Sequence, residues 1–333
     1  MPEPQTGTTA EQPDALFDRY TLPKVALGVI LAASLAGTWV TATLDGTATL
    51  AGAVAKWLYL VGLGVLTGGL VWKHVFVRPA DLGDDAADYC AEMYDRFDRI
   101  AAGATVVLAV SGAVVLREYV AVFGPTTALV GYAALVGALL AMALVQILGS
   151  EAVERQFRTP TGVVTLGLAL AVVVATAVAE VAVTGLDPAA VVVRVLHLVA
   201  FAVWVGGAVW NIFVAVPTGQ KRPTVPVVRA AGEQLERFRW AVRFVIPTLF
   251  LTGLYQAVDG LGVNAEAYLG SAVGLTVLAK VGFIGVLVVV FKLCPMWRAC
   301  SPIEGVCELD ELGGEGTADS DPTAGGSEVR SDD

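Results

Sequence analysis

Apolar positions in this sequence run in long, nearly charge-free blocks, not in the alternation of a strand or the single stripe of a surface helix. Val25–Val40 and Ala101–Leu116 carry no charge, and Ala267–Phe291 is broken only by Lys280. Blocks of about 18 or more apolar residues read as membrane-spanning helices, because ~20 residues at 1.5 Å rise cross the hydrocarbon core. The pattern predicts spans near 24–43, 53–77, 99–122, 127–149, 161–184, 190–216, 241–260 and 270–294. The expected fold is all-α, a polytopic bundle of about eight transmembrane helices.

Composition sharpens this. The 333 residues are 56% hydrophobic and 16% charged, with mean hydropathy +0.70. A soluble domain carries roughly 25% charge, so a single soluble core is excluded. The net charge of −10 gathers at the ends. Residues 1–22 and 301–333 are acidic and rich in Gly, Thr, Ser and Pro, which predicts disordered tails. Such acidity with little lysine is a halophilic composition, in which acidic surfaces stay hydrated at high salt. No basic footprint for nucleic acid is present. The first twenty residues lack the basic start and apolar run of a secretory signal, so the first helix is expected to direct insertion itself.

Lys and Arg set the orientation. With the N-terminus inside, 17 of them fall on the inner side and four (Lys56, Arg117, Arg194 and Lys280) fall outside or within the membrane. That asymmetry predicts both termini in the cytoplasm of a plasma-membrane protein.

The chain also repeats. LYLVGLGVLTGGLVWKHVFVRP at 58–79 matches LHLVAFAVWVGGAVWNIFVAVP at 196–217, an offset of 138. Gly68-Gly69, Trp72 and Pro79 match Gly206-Gly207, Trp210 and Pro217, and Lys56 matches Arg194. Arg96-Phe97 and Ser111-Gly112 match Arg237-Phe238 and Thr252-Gly253 at an offset of 141. Four-helix repeats at 23–150 and 151–300, with the same orientation, are expected to meet at a pseudo-two-fold axis along the membrane normal.

Few polar residues lie inside the spans, which makes each informative. His197, Lys280, Glu180 and Arg194 all belong to the second half, with Tyr255, Gln256 and Asp259 near the outer end of the seventh helix. A lysine at such depth costs about 2.5–3.5 kcal/mol on insertion scales, so it should face a partner or a wet cavity. One reading is an internal hydrogen-bond network that holds the bundle. The sharper one is an outward-facing site of His197 and Lys280, with Glu180 as counter-charge. Tyr59 stands at the repeat position of His197, so the halves differ chemically. His74, beside Lys73, reads as an interfacial residue.

The four cysteines, Cys90, Cys294, Cys300 and Cys307, fall on the predicted cytoplasmic side. Three of them are separated by five and six residues, wider than zinc knuckles. Thiolates there would suit Cu(I) or zinc, in a site that Met93 and Met296 could join. Phosphate-loop, dinucleotide, HExxH and GxSxG motifs are absent, which argues against hydrolytic or ATP-driven work.

The stretch from His197 to Pro217, HLVAFAVWVGGAVWNIFVAVP, resembles the copper resistance protein D (CopD) family, whose members carry a helix of the form H-(apolar)-W-x-G-G. The resemblance continues in Arg237-Phe238, Pro247, Gly253 and Lys280 and covers helices five to eight. It implies copper transport or copper resistance, with His197 as a ligand, Trp204, Gly206 and Gly207 shaping the packing, and Lys280 as the buried base. The copper would enter near Glu180, be held by His197 and be released toward the inner cysteines. The same features are also similar to the four-helix membrane protoporphyrinogen oxidase family. That likeness implies an oxidoreductase with haem on His197. A third expectation is a structural subunit of a membrane complex. The partners expected are the lipid bilayer, a metal cation and either a second copy or another membrane protein.

Overall fold

The computed structural model describes residues 21–77, 87–149, 159–221 and 224–293; both acidic tails and Cys294, Cys300, Cys307 and Met296 lie outside them. Eight helices are long and apolar enough to cross a membrane: α1 (Thr21–Leu44), α2 (Leu50–Phe76), α3 (Ala87–Phe123), α4 (Thr127–Leu148), α5 (Pro160–Ala182), α6 (Pro188–Gly219), α7 (Val225–Leu261) and α8 (Ala272–Leu293). A single turn at Ala265–Leu269 precedes α8, and no strand occurs among the described residues. The chain is an integral membrane protein by the length and composition of these helices.

Local chemistry sets the helix starts. Thr49, Thr126, Thr159 and Asp187 each accept a hydrogen bond from a backbone N–H three residues on, and Pro160 and Pro188 occupy first-turn positions. These caps satisfy donors that no helical carbonyl can reach.

Two helices are longer than hydropathy predicts. α3 starts at Ala87, not near 99, and α7 at Val225, not near 241. Their extensions carry too many charges to register as apolar blocks, yet each is amphipathic. Tyr89, Cys90, Met93, Tyr94 and Phe97 are all buried, spaced as one face of a helix. Val227, Val228, Ala231 and Leu235 do the same on α7. Cys90 and Met93 are therefore core residues.

α2 and α6 cross at the centre of the bundle, each flanked by the helix that follows it. The crossing is backbone on backbone. A Cβ on Gly68 would overlap the Ala202 carbonyl oxygen, and one on Gly206 would overlap the Gly68 Cα. The adjacent glycines seat rings: a Cβ on Gly69 would run into Phe97, and one on Gly207 into Phe238. Small residues permit this approach where lipid offers no hydrophobic drive to associate.

Repeat-equivalent residues make reciprocal contacts here. Trp72 and Trp210 stack at 6.3 Å, while Trp72 packs on Phe238 at 5.0 Å and Trp210 on Phe97 at 5.1 Å. Each tryptophan opens a π-helical stretch, Trp72–Phe76 and Trp210–Ala215. Arg237 donates to the Phe76 carbonyl at 2.7 Å and Arg96 to the Phe213 carbonyl at 3.5 Å, each arginine reaching into the other half. The π geometry leaves carbonyls without ordinary helical partners, and the arginines supply donors there.

Candidate functional site

The repeat fails in one place. α3 packs closely on α4, but their counterparts α7 and α8 hardly touch, and α8 instead lies along α1. A cavity of about 160 Å³ occupies the space among α1, α2, α6, α7 and α8. Its polar groups are His197 and Arg194 on α6, Gln256 on α7, Lys280 on α8, and Ser34, Thr38 and Thr41 on α1. Trp57, Phe201 and Trp204 line its walls.

These side chains come to one level for simple reasons of register. His197 lies nine residues from the start of α6, Lys280 eight from the start of α8, and Thr252 nine from the end of α7. At 1.5 Å per residue all three sit ~12–14 Å below the same face of the bundle. Gly37 of α1 makes room: a Cβ there would lie 2.8 Å from the Lys280 Nζ.

The state of the His197 ring follows from its neighbour. Nδ1 lies 2.8 Å from the Thr252 hydroxyl. That hydroxyl has one proton, which it donates to the Thr248 carbonyl at 2.5 Å. Its oxygen therefore accepts from Nδ1–H, which leaves Nε2 with a bare lone pair. Lys280 has neither a hydrogen bond nor an ion pair among the described residues. The cavity thus offers an imidazole nitrogen beside a lysine amino group that no described side chain pairs.

Glu180 is elsewhere. It is buried on α5, with Oε2 accepting from the Arg194 Nε at 2.5 Å and Oε1 lying 3.1 Å from the Lys56 Nζ. Arg194 also donates to the Gln256 side-chain oxygen at 2.7 Å. The expected pairing of Glu180 with His197 and Lys280 is not what the chain forms, because two nearer cations occupy both its oxygens. Lys56 and Arg194 are repeat partners, whereas the position equivalent to Glu180 is Ala42. Tyr255 and Asp259 are exposed on the outside of α7.

In the first half, Tyr59 fills the place that His197 holds in the second. Its hydroxyl bonds to Tyr132 at 2.6 Å and Thr176 at 2.9 Å, and all three are buried. Helices α4 and α8 align at an offset of 145, which sets Leu135 at the position of Lys280. The first half is therefore plugged by a hydroxyl cluster where the second is hollow and basic. Sequence reasoning named His197, Lys280, Arg194, Gln256 and Tyr59, and met Thr252 only as a repeat position; it missed the bond of Thr252 to His197 and the hydroxyl face of α1. Thr252 carried a signal: it is the repeat partner of Ser111 and lies one helical turn from Gln256.

Of the other residues singled out from the sequence, Trp204 forms part of the cavity wall, while Gly206 and Gly207 form the helix crossing. His74, in the last turn of α2, is buried within the protein. Its ring fills the space over Gly162, and neither nitrogen has a hydrogen-bond partner among the described residues. Lys73 turns instead to Asp98, at 3.2 Å. No group of three metal-ligating side chains occurs among the described residues.

Fold and site together define an integral membrane protein whose described residues form eight membrane-length helices and an asymmetric, basic cavity among them. Set against known protein families, characterised proteins and solved structures, the chain finds no match.

Proposed function

We propose that the His197–Lys280 cavity is a ligand-binding site, and that its ligand presents an anionic or hydrogen-bond-accepting group to Lys280. The observation that carries this is the unpaired Lys280 amino group. An intramembrane lysine is costly unless it is matched, and no described side chain matches it. A cavity of about 160 Å³ has room for a molecule the size of one aromatic ring. His197, through Nε2, would accept a proton or hydrogen bond from the same ligand. The Lys and Arg asymmetry supports cytoplasmic termini, and with that orientation the site would lie in the outer half of the membrane.

Copper transport, the function implied by the resemblance to the CopD family, is a reading of the same cavity. The described donors for copper are one imidazole and several hydroxyls, flanked by two cations. That set does not fit a resident copper ion, so copper enters this reading only as cargo. For haem, His197 Nε2 supplies an axial nitrogen, but the cavity is smaller than a porphyrin. The haem oxidoreductase and structural-subunit readings therefore rank behind ligand binding.

Benzoate, a ring with a carboxylate, is a direct probe. Its binding to the purified full chain can be followed by the fluorescence of Trp57 and Trp204. Benzoate should bind more tightly than toluene, and Lys280→Met should remove the difference. Equal binding of the two, or indifference to Lys280→Met, overturns the proposal. An ultraviolet–visible spectrum and a copper assay of the same preparation test the other readings. A Soret band lost in His197→Ala would favour haem.

A further inference from the structure

On another face of α2 from the cavity, a groove of about 620 Å³ runs between α2, α3 and the end of α6. Its long walls are apolar. α2 contributes Leu58, Val61, Gly62 and Val65, spaced as one helical face, and α3 contributes the matching face from Ile100 to Val107. Arg96 and Arg99 stand at one end only.

The groove has the dimensions of one leaflet. From Arg96 to Val107 is eleven residues along α3, or ~16 Å of rise. Half of a ~30 Å hydrocarbon core is ~15 Å. The arginines therefore sit at the level of lipid headgroups when the apolar walls span the chains of that leaflet.

The charges at the mouth are divided unequally. Glu92 is taken by Lys221 and Arg96, and Asp98 by Lys73. Arg99 donates only to the Asp95 backbone carbonyl and forms no ion pair among the described residues. Its guanidinium is exposed beside the groove, next to the exposed Asp95 side chain. A planar guanidinium suits a phosphate oxygen.

The repeat supplies an internal comparison. At an offset of 141, Trp240 stands for Arg99 and Phe244 for Gly103, their rings 4.7 Å apart. The first half has a small residue and an exposed cation where the second has two aromatic rings. A Cβ on Gly103 would meet nothing within 4 Å, so the space is open and not a packing requirement.

We infer that this groove holds one anionic phospholipid of the leaflet on the arginine side, with an acyl chain against Gly103 and the phosphate on Arg99. The site is independent of the His197–Lys280 cavity. Juxtamembrane basic side chains attract anionic headgroups by an amount equivalent to about fivefold in affinity each.

Native mass spectrometry of the full-length protein tests this, with phosphatidylglycerol, phosphatidylcholine and glycerol phosphate as separate probes. One phosphatidylglycerol should be retained in preference to phosphatidylcholine. Arg99→Gln should lower that preference about fivefold. Gly103→Leu, which the open space accommodates, should reduce retention of both lipids without changing the thermal midpoint. Equal retention of the two lipids, or insensitivity to both variants, overturns the proposal. Glycerol phosphate competing as well as the lipid would make this a small-anion site and also overturn it.

Discussion

Lys56 and Arg194, 138 residues apart, grip the two oxygens of one carboxylate, that of Glu180, at 3.1 and 2.5 Å. The repeat supplies two cations and only one acid, so a single side chain of α5 joins α2 to α6. Truncating that acid should cost far more than a surface pair would. Glu180→Gln leaves two buried cations without their counter-charge and should destabilise the protein by about 3–5 kcal/mol. Thermal unfolding in detergent measures this, and Lys56→Met added to Glu180→Gln should recover part of the loss. A midpoint unchanged in Glu180→Gln would show that the cluster is solvated.

The glycine crossing yields a sharper contrast. Gly68→Ala drives a methyl group into the Ala202 carbonyl and should cost more than ~3 kcal/mol, beyond the usual range for overpacking. Gly131→Ala, with nothing within 4 Å, should change stability by less than ~0.5 kcal/mol. Expression level and thermal midpoint of the two variants give the comparison.

Thr252 determines which nitrogen of His197 carries the proton. Nitrogen-15 spectra of histidine-labelled protein should show Nδ1 protonated and Nε2 bare. Thr252→Val should mix the two tautomers while costing only about 0.6 kcal/mol, the average for a hydrogen bond between membrane helices. A wild-type ring protonated at Nε2 would contradict the assignment.

Tyr59→Phe removes both hydrogen bonds of the first-half hydroxyl cluster. The expected loss is about 1 kcal/mol, twice the average for such bonds. Benzoate binding should be unaffected, because Tyr59 lies outside the cavity lining.

Much of this architecture was legible in the sequence, because a bilayer demands long apolar runs and punishes exceptions. The eight spans, the paired glycines and the Tyr59–His197 difference all follow from composition and offset. The extensions of α3 and α7 were not legible from hydropathy, since Glu92, Asp95 and Arg99 dilute an apolar face that only periodicity exposes. The partner of Glu180 was missed for another reason. Depth along a helix can be counted from sequence, but the direction a side chain faces around it cannot. Lys280 was the expected partner of Glu180, and the placement of α2 and α6 gives that role to Lys56 and Arg194.

The α2–α6 crossing also constrains how this protein can move. With Gly68 against Gly206 and two tryptophans stacked beside them, the halves meet as a locked fulcrum without play. A see-saw of one half against the other would have to break backbone contact at its own pivot. Freedom lies instead where the repeat is broken, at the loosely joined α7 and α8. Any breathing that admits a ligand is thus a local swing of one or two helices around a stationary spine.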